Sequence, residues 1–167
     1  MYPTFIDIEA SSLDNNSYPI EVAWSDKHGK IKCYLVEPHW SWKDWDIKAE
    51  KIHGISRKNL KKNGKSAVDI CKIMREEIGE RTIYSDEPDY DRHWLSRLFE
   101  VGEGGGQPFC VEGVLRISEI KVACLERGSF EQMRADARKN IGRIHRADAD
   151  VAILIKIYDQ AKLFLPN

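Results

Sequence analysis

Along this chain the spacing of apolar positions changes period more than once. Residues 4 to 9, TFIDIE, alternate apolar and polar with β-branched and aromatic members, the period-two pattern of a strand. YPIEVAWSDKHGKIKCYLVEP, residues 18 to 38, holds two further strand-like runs around a turn at Asp26 to Lys30, where Gly29 supplies a permissive backbone. That predicts a hairpin. The period then lengthens: Asp46 to His53 reads as a short helix ending at Gly54, and Ser66 to Ile78 as a stronger one with the stripe Val68, Ile70, Cys71, Met74, Ile78 and Gly79 as its stop.

RTIYS, residues 81 to 85, is short and strand-like, and Asp89 or Asp91 opens a helix through HWLSRLFEV that the loop GEGGGQP terminates. FCVEG predicts one more buried strand, followed by helices at Ile117 to Glu126, Phe130 to Asn140 and about Arg146 to Phe164. A run of strands followed by alternating helices and isolated strands predicts an α/β fold, a mixed β-sheet flanked by α-helices, as a single domain over residues 1 to 167.

Composition narrows the class. Hydrophobic residues make up 42% and charged residues 32%, and no stretch approaches the ~20 apolar residues of a membrane span, so no membrane partner is expected. The N-terminus carries acids where a signal peptide would be basic, which predicts a cytoplasmic protein. Cys33, Cys71, Cys110 and Cys124 are widely spaced with no CxxC pair, and are expected to be buried thiols rather than zinc ligands or disulfides. A net charge of −1 argues against a uniformly basic duplex binder.

Charge is nevertheless clustered: Lys48, Lys51, Arg57, Lys58, Lys61, Lys62 and Lys65 face the single acid Glu50, as a solvated helix face or a phosphate-contacting patch. Acids crowd instead into SDEPDYD, with Asp86, Glu87, Asp89 and Asp91.

Two further acids, Asp7 and Glu9, stand at i and i+2 of a strand and so share one face. Side by side on an interior strand they would repel, and a divalent cation removes that cost; oxygen-only ligands favour Mg²⁺ or Mn²⁺. Edge-strand exposure is the plainer explanation of the same pair. In the last helix, 100° per residue places Asp150 on the apolar stripe with Leu154, Ile157 and Ala161, whereas Asp148 projects outward with Ala152, Lys156 and Asp159. Asp148 then has an ordinary role near a helix N-terminus, and Asp150 needs a partner.

These residues together resemble the DEDDh 3′-to-5′ exonucleases of the ribonuclease H-like superfamily, which include proofreading exonucleases, oligoribonuclease and RNase T. FIDIEASSL is similar to the family's Asp-x-Glu strand, KIHGIS to its His-Gly-Ile-Thr element, YDRHWLSRLF to its second motif and HRADAD to its third, so the resemblance runs from about residue 4 to residue 158. Ser12 stands where the family has Gly, Asp86, Glu87 and Pro88 where it has His-Asn-Ala, and Asp148 where an apolar residue is common. The second motif is the weakest match, and Asp86 or Asp89 remains an alternative to Asp91.

The resemblance implies a ribonuclease H-like fold and two-metal phosphodiester hydrolysis at the 3′ ends of single-stranded nucleic acid, releasing nucleoside monophosphates. Asp7, Glu9, Asp91 and Asp150 would hold two Mg²⁺ ions, with Mn²⁺ able to substitute, and His145 would act as general base. Leu13 takes the position of a residue that packs on the terminal base, with Ser11, Ser12 and Trp42 as further substrate contacts; Trp40 and Trp45 are equally placed in sequence to stack. Several relatives pair their subunits, so a homodimer using residues 48 to 65 is a further implication. RNA and DNA both stay open, since discrimination rests on contacts to the 2′-hydroxyl. Two rival readings are a non-catalytic nucleic-acid-binding module on the same fold and a phosphodiesterase of dinucleotides or small nucleotides.

Overall fold

The computed structural model describes residues 1–139, 141 and 145–163. Its central strand, β1 (Thr4–Ala10), pairs antiparallel with β2 (Pro19–Ser25), which pairs antiparallel with β3 (Ile31–Leu35). On its other edge β1 pairs parallel with β4 (Ile83–Ser85), and β4 parallel with β5 (Val111–Gly113), giving the order β3-β2-β1-β4-β5. The hairpin turn is as the sequence predicts: Asp26 accepts the backbone N–H groups of His28 and Lys30, and Gly29 sits at φ 79°.

Strand alternation sorts β1 between two cores. Ile6, Ile8 and Ala10 join Val22 and Trp24 in a core with the helices α3 (Ala67–Ile78) and α4 (Pro88–Glu103). Phe5 and Ala23 point the other way, into a core built with α5 (Ser118–Arg127), α6 (Phe130–Arg138) and α7 (Ala147–Lys162). Asp7 and Glu9 belong by alternation to that second face, at the end of β1 beyond the apolar packing. The parallel pairing of β1 with β4 sets their carboxyl ends side by side, where open α/β sheets form their crevice.

Between β3 and α3 come α1 (Ile47–His53), capped by Asp46 and stopped by Gly54 at φ 69°, and α2 (Arg57–Asn63), capped by Ser56. α2 has no apolar stripe to announce it, because Leu60 is its one buried residue. A 3-10 turn, Val114–Arg116, precedes α5. The expected helix ends at Asn140 and Phe164 lie outside the described residues.

α4 runs further than expected, to Glu103, before Gly104 at φ 74° ends it. Gly102 lies within its last turn, pressed on α3: a Cβ there would meet Cys71 Sγ at 2.6 Å and the Ala67 carbonyl oxygen at 2.9 Å. The missing side chain is what lets the two helices approach. The cysteines depart from expectation, since Cys71 is buried, Cys33 and Cys124 partly so, and Cys110 exposed; all are free thiols. Among the described residues no helix is long and apolar enough to cross a membrane.

Gly102→Val should destabilise the protein by about 2 kcal/mol through overpacking, despite the better helix propensity of valine, read as a fall in the denaturation midpoint. An unchanged midpoint would mean that α3 and α4 can move apart at little cost.

Candidate active site

The carboxyl ends of β1 and β4, the first turns of α4 and α7 and one face of α6 enclose a cleft of about 350 Å³ lined by Asp7, Glu9, Asp86, Asp91, His145 and Asp150, among others. Three chain segments contribute these six side chains. Carboxylate oxygens of Asp7, Glu9 and Asp150 all lie within 4.8 Å of one another, so one cation could touch all three. Asp91, 2% exposed, accepts a hydrogen bond from the hydroxyl of Ser85 at the end of β4. Asp86 lines the same cleft but is paired with Arg134, 2.9 Å away, and Asp89 is an exposed partner of Arg92.

The electrostatics of the cleft are those of crowded acids with too little counter-charge among the described residues. Burial, then the charges of Asp91, Asp150, Asp86 and Glu9, push the Asp7 carboxyl well above the ordinary carboxylate range. Burial, then Asp150 and Glu21, push Glu9 up to about 7. Asp91 is raised chiefly by burial, against the Ser85 hydrogen bond, which favours the ionised form. Asp150 is also raised by burial, with Arg138 opposing. Buried carboxylates that resist ionisation alone, offering only oxygen ligands at mutual cation-binding distance, fit a hard divalent ion of the Mg²⁺ or Mn²⁺ kind.

The third segment is fixed by a residue that sequence reasoning passed over. Glu21 on β2, 1% exposed and paired in register with Glu9, accepts Arg146 Nε at 2.8 Å and the Ala147 backbone N–H at 3.0 Å. It therefore caps the first turn of α7 and holds the guanidinium beside it. The sequence signal was available: an acid amid the apolar strand PIEVAWS. Immediately before this clamp, His145 adopts φ 57°, the one positive φ outside glycine among the described residues. It lines both the acid cleft and an adjoining, mainly apolar slot of about 270 Å³ bounded by Ile8, Leu13, Ala49, Ile52, His53 and Trp94.

Leu13, 71% exposed, stands at the lip between cleft and slot. Three other expectations need correction. Trp42 is 1% exposed and stacks on Tyr18 at 5.0 Å, so it is a core side chain with no face free for a base; Trp40 is the exposed member of that run. Ser11 and Ser12 are buried, and both hydroxyls donate to Asp44, so they brace the loop after β1. Asp148 is not a solvent-facing acid: it is partly buried near Glu21 and Cys33, because β2 and β3 cover the face of α7 that a helical wheel assigns to water. Asp150, 8% exposed, does point into the cleft.

Sequence reasoning also passed over Tyr90, stacked on Trp94 at 5.5 Å at the cleft wall, and Arg134 and Arg138, whose four-residue spacing on the helix before HRADAD was the visible clue.

No family model matches the chain, and no curated protein matches it by sequence. Solved structures do. Escherichia coli exonuclease I in complex with a dA16 oligonucleotide superposes with a TM-score of 0.67 at 14% identity, over 95% of this chain and 41% of that one. The zinc-bound form of the E. coli enzyme with single-stranded DNA gives 0.68 at 15% identity, over 98% of this chain and 40% of that one. A moderately thermophilic exonuclease I from Methylocaldum szegediense gives 0.68 at 14% identity, over 96% and 41%. The chain thus spans about 40% of the length of the exonucleases it matches.

In the metal-free protein Glu9 holds its proton up to about pH 7 when folded but only to its ordinary 4.5 when unfolded. The folded state therefore binds more protons in between, and stability should fall as pH rises through that window. A thermal midpoint several degrees lower at about pH 7.5 than at about pH 5, restored by millimolar Mn²⁺, is expected; a midpoint that rises with pH would contradict the crowding of acids. Glu21→Gln should cost about 3 kcal/mol in chemical denaturation, since it leaves the Arg146 guanidinium half-buried without its counter-charge. Loss of under 0.5 kcal/mol would show that water replaces the carboxylate freely.

With the sheet order and the flanking helices in place, the chain has the ribonuclease H-like fold of exonuclease I.

Proposed function

We propose that the chain is a metal-dependent 3′-to-5′ exonuclease that hydrolyses the terminal phosphodiester of single-stranded nucleic acid and releases nucleoside monophosphates. The observation that carries this is the convergence of Asp7, Glu9 and Asp150 oxygens within 4.8 Å, in one cleft with Asp91 and His145, on a fold shared with exonucleases solved with single-stranded DNA.

Asp7, Glu9 and Asp150 would hold one divalent cation and Asp91 would help to hold a second; the ions would supply positive charge to the phosphodiester oxygens and acidify water at neutral pH. The remaining work falls to this chain's own side chains. His145, reaching the cleft from the loop just before α7, takes the proton of the attacking water as its oxygen bonds to phosphorus. The bond from phosphorus to the penultimate 3′-oxygen breaks, and that oxygen takes a proton from solvent. Leu13 and the apolar slot beside it receive the terminal base while the phosphate lies over the acids, and the slot's closeness to His145 sets which phosphodiester meets the base.

Mononucleotide release from end-labelled RNA and DNA oligomers, single- and double-stranded, tests the proposal. Release should require Mg²⁺ or Mn²⁺ and fall at least a thousandfold in Asp7→Ala and Asp150→Asn with folding retained. A purified protein inert on every substrate with both ions would overturn it.

A further inference from the structure

α6 carries the feature that the metal-site reading leaves unused. Met133 and Ala137 bury one stripe of this helix against α5 and α7, and Lys156 on α7 donates to the Ala137 carbonyl at 3.2 Å, fixing its last turn. The adjacent stripe carries Arg134 and Arg138, one turn apart, both lining the acid cleft. Arg134 is satisfied by Asp86. Arg138 is not: its nearest contact with Asp150 is 3.7 Å, beyond a hydrogen bond, and its Nε is buried with no partner among the described residues. A guanidinium held at a cleft with a buried donor unspent is a site prepared for an acceptor that arrives later.

We propose that Arg138 and Arg134 form a phosphate clamp: Arg138 rests near Asp150 until a cation takes over that carboxylate and then engages the terminal phosphodiester of the nucleic acid, with Arg134, held beside it by Asp86, offering the N–H groups that the aspartate does not use. This rests on the exonuclease reading. The chemistry of the parts favours it. Six carboxylates line the cleft, and a phosphodiester would be repelled by them. A cation on Asp150 makes its loose attraction to Arg138 redundant, and the freed planar fork matches two phosphate oxygens in a way that an ammonium cannot. Arg134, one turn earlier, would then meet the next phosphate or the second oxygen pair of the same one.

The test is binding without turnover, with Ca²⁺ as the cation and a fluorescent single-stranded oligonucleotide carrying either a normal or an uncharged methylphosphonate linkage at its 3′ end. Wild-type protein should lose about tenfold or more in affinity on that replacement. Arg138→Met and Arg134→Met/Arg138→Met should bind the normal strand about tenfold or more weakly and lose several-fold less than the wild type on the methylphosphonate replacement, the residual loss being that of the cations, while Arg138→Lys recovers only part. With Mn²⁺ bound, the thermal midpoint and Mn²⁺ affinity of Arg138→Met should match or exceed those of the wild type, which separates a clamp from a role in folding or metal retention; the double variant, which leaves buried Asp86 without its partner, is expected to melt lower.

Equal sensitivity to the methylphosphonate in wild type and Arg variants would overturn the clamp while leaving the nuclease intact. A wild-type protein that neither binds nor cleaves any oligonucleotide would overturn both, and an Arg138→Met protein that binds Mn²⁺ worse would make the arginine a support of the metal site.

Discussion

The placement of the whole cleft depends on one buried carboxylate, Glu21. It sits on the strand next to β1, opposite Glu9 in register, and its two oxygens are taken by the Arg146 guanidinium and the Ala147 N–H. The sheet thereby grips the start of α7. Asp150 follows four residues after Arg146, so one turn of helix carries that fixed point to the carboxylate group of Asp7 and Glu9. Truncating this one contact would loosen the geometry between strand carboxylates and a helix carboxylate that are more than 140 residues apart in sequence. A lone ion pair on a surface would contribute little; here the pair is a positional device, because a capped helix N-terminus and a buried charge pair share the same acceptor.

The cleft itself works against folding. Asp7, Glu9, Asp91 and Asp150 all sit where burial and one another's charge oppose ionisation. Such an arrangement persists because the surrounding layers are packed independently of it: Ile6, Ile8 and Trp24 on one side of the sheet, Phe5, Val151 and Leu154 on the other. Partial relief is built in. Ser85 donates to Asp91, Arg134 neutralises Asp86, and Arg138 sits within reach of Asp150's field. Among the described residues no cation is paired with Asp7, and Glu9 feels only Arg146, which is bound to Glu21, so a divalent cation would gain most there.

Much of this was legible in the chain, and the failures have common causes. Strands with clear alternation, the Gly29 turn and the α3 stripe from Ile70 to Ile78 came through because local pattern and tertiary burial agree there, whereas Val68, counted in that stripe, is exposed and Ala67 is buried in the first turn. The acids Asp7, Glu9 and Asp150 were visible as polar residues at core-facing positions. Asp148 and Trp42 were misjudged for the opposite reason, that neither a helical wheel nor an aromatic cluster says how many sides of an element are covered. α7 is packed by the sheet as well as by α5 and α6, and Trp42 is folded under on Tyr18. Glu21, Arg134 and Arg138 needed the third dimension, since their partners lie in other segments.

His145 joins these threads. A non-glycine residue at φ 57° carries a cost of about 1–2 kcal/mol, which persists only where neighbours over-determine the backbone. The next two residues supply that constraint, because Arg146 and Ala147 are the groups that Glu21 holds. The same bond that aims Asp150 into the cleft therefore also turns His145 toward it, against the preference of its own backbone. An imidazole placed by a strained link has little freedom to fall back into the helix, yet it stays at the mouth shared by the acid cleft and the apolar slot. In the proposed reaction that is the position from which one imidazole can meet a water over the acids while the base beside it is held by Leu13.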